Sequence, residues 1–177
     1  MNFTNPTIHI DALGLNPGDV VVDLGAGSGA YAKVAAKAVT ARGTVYAIDL
    51  NRDLLTRLKQ DATGEHLPNI DTVWGDIERE NGVQLTSHIA DAILLCNTLF
   101  MVEDKGGLLK EIKRILKPKG KVLVVEWSDS HGGVGPHKDH VFSEVEAKNL
   151  FSADGFTISH ASDDASYHYR FVATNNI

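Results

Sequence analysis

The chain contains a single cysteine, Cys96, in 177 residues. That excludes an internal disulfide and any zinc site built from several thiolates. Blocks of like charge are also missing. The 17 Lys and Arg are set against 23 Asp and Glu, for a net charge of −6, and neither sign forms a long run. The basic stripe of a general nucleic-acid binder is therefore absent. No apolar run is long enough to cross a bilayer, and the opening MNFTNPTIHID has neither a basic start nor an apolar segment. A cytoplasmic protein without a membrane span is the expectation. What is present, 43% apolar residues without internal repeats or low-complexity segments, suits one well-buried domain over residues 1–177, with residues 1–18 as a short N-terminal cap segment.

Short apolar runs alternate with amphipathic ones. Val20 to Leu24, Thr44 to Asp49, Ile70 to Trp74 and the nearly continuous apolar run Ala90 to Cys96 read as strands, the last covered on both faces. Between them, Tyr31 to Val39 and Arg52 to Asp61 read as helices, the second with Leu54, Leu55 and Leu58 on one face. A third helix opens at Asp104 and carries Leu108, Leu109, Ile112, Ile115 and Leu116 at helical spacing until Pro118-Lys119-Gly120 stops it. Lys121 to Trp127 follows as a fifth strand. Ser143 to Ala153 is a helix with Ser143 as N-cap and Glu146 at the capping-box position. Phe156 to His160 and Tyr167 to Thr174 are two strands with no helix between them, hence an antiparallel pair. The alternation predicts an α/β fold with a parallel sheet and right-handed crossovers.

The functional question centres on VVVDLGAGSGA, Val20 to Ala30. Gly25, Gly27 and Ala30 satisfy G-x-G-x-x-G/A, the loop that receives a dinucleotide pyrophosphate. The same letters contain D-x-G-x-G-x-G, with Asp23 two residues before the first glycine. Asp49, about 20 residues past Gly29, ends the second strand where a carboxylate meets ribose hydroxyls, which suits any adenosine ligand. Asp23 discriminates between the two. At roughly 5 Å and an effective dielectric near 20, unit charges interact by about 3 kcal/mol, repelling a phosphate and attracting an ammonium or sulfonium. Its plainer use is to cap the following helix or bond glycine amides. Asp76, just after the third strand, is placed to accept from an adenine amino group while Ile77 covers the ring, or else to form an Asx-turn. A dinucleotide oxidoreductase would also need a substrate domain for which no chain remains.

With these residues in view, the sequence resembles the class I S-adenosylmethionine-dependent methyltransferases, over nearly its whole length. VVDLGAGSG is similar to the family's first motif, VYAIDL to the second, WGDIE to the third and ADAILLCNTLFMVED to the fourth. LLKEIKRILKPKGKVLVVEW and GPHKDHVFSEVEAKNLFSADGF are similar to the segments that follow. The resemblance implies a Rossmann-like seven-stranded sheet in the order 3-2-1-4-5-7-6, with strand 7 antiparallel and helices on both faces. It implies that Asp23 and the backbone of Gly25, Ala26, Gly27 and Gly29 hold the methionine part of S-adenosylmethionine. Asp49 would hold the ribose, Asp76 and Ile77 the adenine with Leu50 on the other side of the ring, and Asn97 would line the methyl-transfer site. The activity implied is methyl transfer to a small molecule by in-line displacement, yielding S-adenosylhomocysteine. The spacings are most similar to the group that includes quinone-biosynthetic and arsenite methyltransferases.

DNA is not an expected acceptor, because Asn97-Thr98-Leu99-Phe100 lacks the Pro-Pro-aromatic run of amino-methylating DNA enzymes and the chain is acidic. In SDSHGGVGPHKDH, Ser128 to His140, His131 and His137 are candidate general bases, since imidazole titrates near neutrality. Together with His140 they fall short of a clean metal-ligand spacing, so no metal is expected. Two other readings stay open. One is a cofactor-binding module whose short cap leaves the site for a second copy or a partner chain to close. The other is an NAD-binding oxidoreductase.

Overall fold

The computed structural model describes residues 5–130, 135–163 and 167–176. The elements are α1 (Pro6–Asp11), β1 (Val20–Leu24), α2 (Ala30–Val39), β2 (Thr44–Asp49), α3 (Arg52–Gly64), β3 (Ile70–Trp74), β4 (Ala90–Cys96), α4 (Lys105–Ile115), β5 (Leu116–Trp127), α5 (Glu144–Ala153), β6 (Phe156–Asp163) and β7 (His168–Asn175). They form one seven-stranded sheet in the order β3-β2-β1-β4-β5-β7-β6. The pairs from β3 to β5 are parallel, and β7 runs antiparallel to both of its neighbours. This is the α/β architecture and strand order expected.

Alternation along the strands creates two cores. Val22, Leu24, Ile93, Leu95, Val122 and Val124 face a cluster completed by Leu108 and Ile112 of α4 and Phe151 of α5. Their neighbours Val21, Leu94, Leu123 and Val125 face a second cluster with Ile10 of α1, Ala32, Ala35 and Ala36 of α2, and Leu58 of α3. Three fully buried alanines on α2 bring that helix close to the sheet, so the glycine loop preceding it sits directly over the end of β1.

The four strands β1 to β4 have the predicted bounds. Elsewhere the ends differ for local reasons. The helix α1 falls in the segment read as a short N-terminal cap; Asn5 caps it by accepting from Thr7 N, and Pro6 fills its first turn. Leu116 continues the helical apolar spacing yet adopts an extended conformation and begins β5. Pro118 disfavours helix in the residue before it, and the irregular Pro118-Lys119-Gly120 stretch is absorbed as a register shift against β4. Ser143 and Glu146 form the capping box that opens α5.

One buried ion pair ties the loop after β3 to α4. Glu111 of α4 is fully buried and accepts from Asn81 N, Val83 N and the Arg114 guanidinium at 2.7–3.0 Å. Arg114 also donates to the carbonyls of Val83 and Leu85. Burial works against the Glu111 charge, but Arg114 and the two amides outweigh it and hold the carboxyl below its usual range. Replacing Glu111 with Ala strands a guanidinium and two amide donors, so unfolding by urea should show a loss of about 3–5 kcal/mol; a loss under 1 kcal/mol would contradict this account of the loop.

Candidate functional site

The carboxyl ends of β1, β2, β3 and β4 open on a cavity of about 810 Å3 lined by, among others, Gly25, Ala26, Gly27, Asp49, Leu50, Ile77 and Asn97. Its shape begins with the glycine loop. Gly25 has φ +77° and Gly29 φ +76°, and a Cβ at either would collide, with Thr98 and with Leu58 respectively, so both positions need glycine. The loop is held by the end of β2. Gly25 N and Ala26 N both donate to Ile48 O at 2.9 Å, and Gly29 N turns back to Ala26 O at 2.8 Å. Asp49 accepts from Gly27 N at 2.9 Å and from Asn51 N at 2.8 Å.

Asn97 closes the other side. It takes φ +54° at the end of β4, donates its amide to Val125 O at 2.8 Å, and keeps its buried side-chain oxygen without a hydrogen-bond partner. Asp23 lies one layer beneath the loop, 2% exposed. The amide of Ala32, in the first turn of α2, pulls on its carboxylate, while Oδ2 is buried with no partner. It thus keeps one buried oxygen unsatisfied.

Residues 22–124 match the methyltransferase domain family. The chain belongs to it. Over 119 residues it is 32% identical to the ubiquinone/menaquinone biosynthesis C-methyltransferase UbiE of Hydrogenovibrio crunogenus, covering 67% of this chain and 46% of that protein. The protein of the same description from Bordetella parapertussis is 30% identical over 155 residues, 88% of this chain and 56% of its own. The chain thus spans about half the length of these relatives. In fold it is similar to a SAM-dependent methyltransferase from Aquifex aeolicus, with TM-score 0.87 at 24% identity, covering 96% of this chain and 89% of that one. Sequence and fold both point to the class I methyltransferases.

The cavity brings together Gly25, Ala26, Gly27, Asp49, Leu50, Ile77 and Asn97, and the other described candidates do not reach it. Asp76 turns to Arg79 in an ion pair at 3.0 Å and accepts from Glu78 N at 3.1 Å, so the Asx-turn use is the one seen. His137 is three-quarters exposed, lies outside the cavity wall and pairs with Asp139 at 3.2 Å, because it caps a single turn of 3-10 helix at residues 138–140. His131 falls outside the described residues. Among the described residues no group of three or more His, Cys, Asp or Glu is arranged to hold a metal, and no helix is long and apolar enough to cross a membrane.

The wall also contains Tyr31 and Met101, together with residues that sequence reasoning passed over as site residues: Pro6, Glu78, Cys96 and Thr98. Tyr31 is 8% exposed. Its hydroxyl lies 2.8 Å from Nδ1 of His9, which is fully buried on α1. The pair Asn5-Pro6 was the available sign of a helix there.

Acid groups under the site are strongly perturbed. Burial, with Asp49 nearby, pushes the Asp23 carboxyl from an ordinary 3.8 to about 7 against the pull of the Ala32 amide. Burial likewise raises Glu126 to about 7, although the amides of Trp127, Phe100, Leu99 and Thr98 oppose it. Cys96 is pushed up by burial and by these two carboxylates, so its thiol stays protonated. For Asp23 the linkage has a definite sign. The folded state holds a proton that the unfolded state has released between about pH 4 and pH 7, so this contribution is complete below pH 4 and disappears as pH rises through about 7. The displacement corresponds to on the order of 4 kcal/mol. Asp23→Asn should therefore raise the unfolding temperature at pH 8 and change it little at pH 4; a variant no more stable than the parent at pH 8 would show that Asp23 is not held under this burden.

Proposed function

We propose that the chain transfers a methyl group from S-adenosylmethionine to a small acceptor of the quinone-precursor class, leaving S-adenosylhomocysteine. The observation that carries this reading is an imbalance of hydrogen-bonding groups around the glycine loop. The amides of Gly25, Ala26 and Gly27 are already taken by Ile48 O and Asp49, so they are not arrayed to receive a pyrophosphate. By contrast, Asp23 Oδ2 and Asn97 Oδ1 are buried acceptors without donors. Such a site favours a ligand bearing N–H donors and positive charge. The methionine end of S-adenosylmethionine has both.

The residues present fit that group. Asp23 would offset its charge, Asn97 would take a donor, Asp49 would face the ribose, and Ile77 and Leu50 would flank the adenine. Asp76 would reach the base only after leaving Arg79. When bound, the cofactor supplies an activated methyl on a sulfonium with a neutral leaving group. The protein's own part is to orient the acceptor in line with that methyl and to exclude water. The helix α1 brings Pro6 into the wall, so the chain itself supplies some of the cover that a partner would otherwise provide. The quinone-precursor class rests on the relatives' descriptions and on a cavity whose size is ordinary for small-molecule sites, about 300–1,000 Å3; such acceptors are largely apolar with few polar groups.

Calorimetry with S-adenosylmethionine, S-adenosylhomocysteine and NAD tests the reading. Both methionine-derived ligands should bind, and NAD should not; NAD binding with neither of the others would sink it. Affinity for S-adenosylmethionine should rise from pH 6 to pH 8 as Asp23 loses its proton. Asp23→Asn should weaken it by about 1–3 kcal/mol at pH 8 and remove the Asp23 part of the pH dependence.

A further inference from the structure

The cavity wall has four titratable side chains among its described residues: Tyr31, Asp49, Glu78 and Cys96. Among the described residues, none of Asp49, Glu78 and Cys96 has a base directly behind it. Asp49 holds Gly27 N and Asn51 N. Glu78 Oε2 accepts from Glu103 N at 2.9 Å and Asp104 N at 2.6 Å. The Cys96 thiol is buried above two carboxylates that oppose its ionisation. Tyr31 differs, because a basic group stands directly behind its hydroxyl. His9 Nδ1 is 2.8 Å away, and His9 is fully buried. Burying an imidazole inside an apolar cluster is unfavourable without hydrogen bonds, and this one meets a residue of the cavity wall.

We propose that Tyr31 is a catalytic residue that takes the proton of a hydroxyl-bearing acceptor, with His9 as the positioning residue that receives Tyr31's own proton. The proposal deepens the methyltransferase reading above and rests on it. The acceptor O–H bond breaks, its proton passes to Tyr31 Oη, and Tyr31's proton passes to Nδ1 of neutral His9. The electron pair left on the acceptor oxygen forms the new O–CH3 bond, and the pair of the broken S–CH3 bond returns to sulfur. One positive charge is lost at the sulfonium and one appears on the imidazole, so the total charge of the site is unchanged.

The relay requires His9 to carry its proton on Nε2 and to present a bare Nδ1 to Tyr31. Nuclear magnetic resonance of the full chain with nitrogen-labelled histidine, assigned through His9→Gln and recorded with and without S-adenosylhomocysteine, reads this directly. The expected result is an unprotonated Nδ1 at neutral pH whose resonance shifts in Tyr31→Phe. A protonated Nδ1 would overturn the proposal, for His9 would then be a donor to Tyr31. Turnover is measured with methyl-labelled S-adenosylmethionine and a hydroquinone, a catechol and an aniline as probes. For any hydroxyl probe methylated by the parent, Tyr31→Phe and His9→Asn should each lower kcat about 100-fold while the Kd for S-adenosylmethionine stays within about 3-fold. Asn retains an acceptor near the Nδ1 position but not a base, so full activity in His9→Asn would reduce His9 to a structural role and overturn the relay. Loss of cofactor affinity with kcat unchanged in Tyr31→Phe would also overturn it, by making Tyr31 a cofactor ligand. If no probe is methylated, the tautomer decides alone. Failure of the parent to bind S-adenosylmethionine would instead refute the methyltransferase reading and is seen separately by calorimetry.

Discussion

The grip of β2 on the glycine loop is the constraint from which the rest of the site follows. A single carbonyl, Ile48 O, takes the amides of Gly25 and Ala26, and the next side chain, Asp49, takes that of Gly27. The loop must then turn back through Gly29 in a left-handed conformation, which starts α2 directly over the sheet. Because β1 and β2 are parallel and paired in register up to Leu24 and Ile48, the two strand ends finish at the same level. That alignment lets one strand shape the loop that leaves the other.

The same constraint sets the electrostatics. With its amides satisfied internally, the loop lacks the positive face that a phosphate site needs, and the nearest unsatisfied polar atom is a carboxylate oxygen. Asp23 feels the Ala32 amide and keeps its buried Oδ2 unpaired. Glu126 repeats the theme beneath the neighbouring strands. It is fully buried and accepts from Phe100 N and Trp127 N, tying the turn after β4 to the end of β5. Two buried carboxyl groups raised to about 7 in one region make a floor that is costly when ionised and eased by a cation above it.

Much of this was legible in the order of residues. β-Branched runs between turn signals marked the four strands whose ends build the site, since period and composition are local properties. The residues whose roles are backbone-like, such as Gly25 and Gly29, could be found because only glycine suits those conformations. Side chains whose direction depends on neighbours were harder to read. Asp76 stands at the expected strand end but turns to Arg79, a residue three positions away whose choice of partner no motif records. His137, in the least ordinary segment of the sequence, is spent on a local turn.

The sequence by itself determined the strand-and-helix alternation, the acidic character of the first three strand ends and the membership of a methyltransferase family, because these reside in spacing and local composition. Only the tertiary structure decided which acids remain unsatisfied, and it alone brought His9 against Tyr31 from 22 positions away. Burial and hydrogen-bond partnership are properties of the folded neighbourhood: a carboxylate or an imidazole acquires its chemistry from what surrounds it, and for Asp23 and His9 those surroundings include elements distant in the chain.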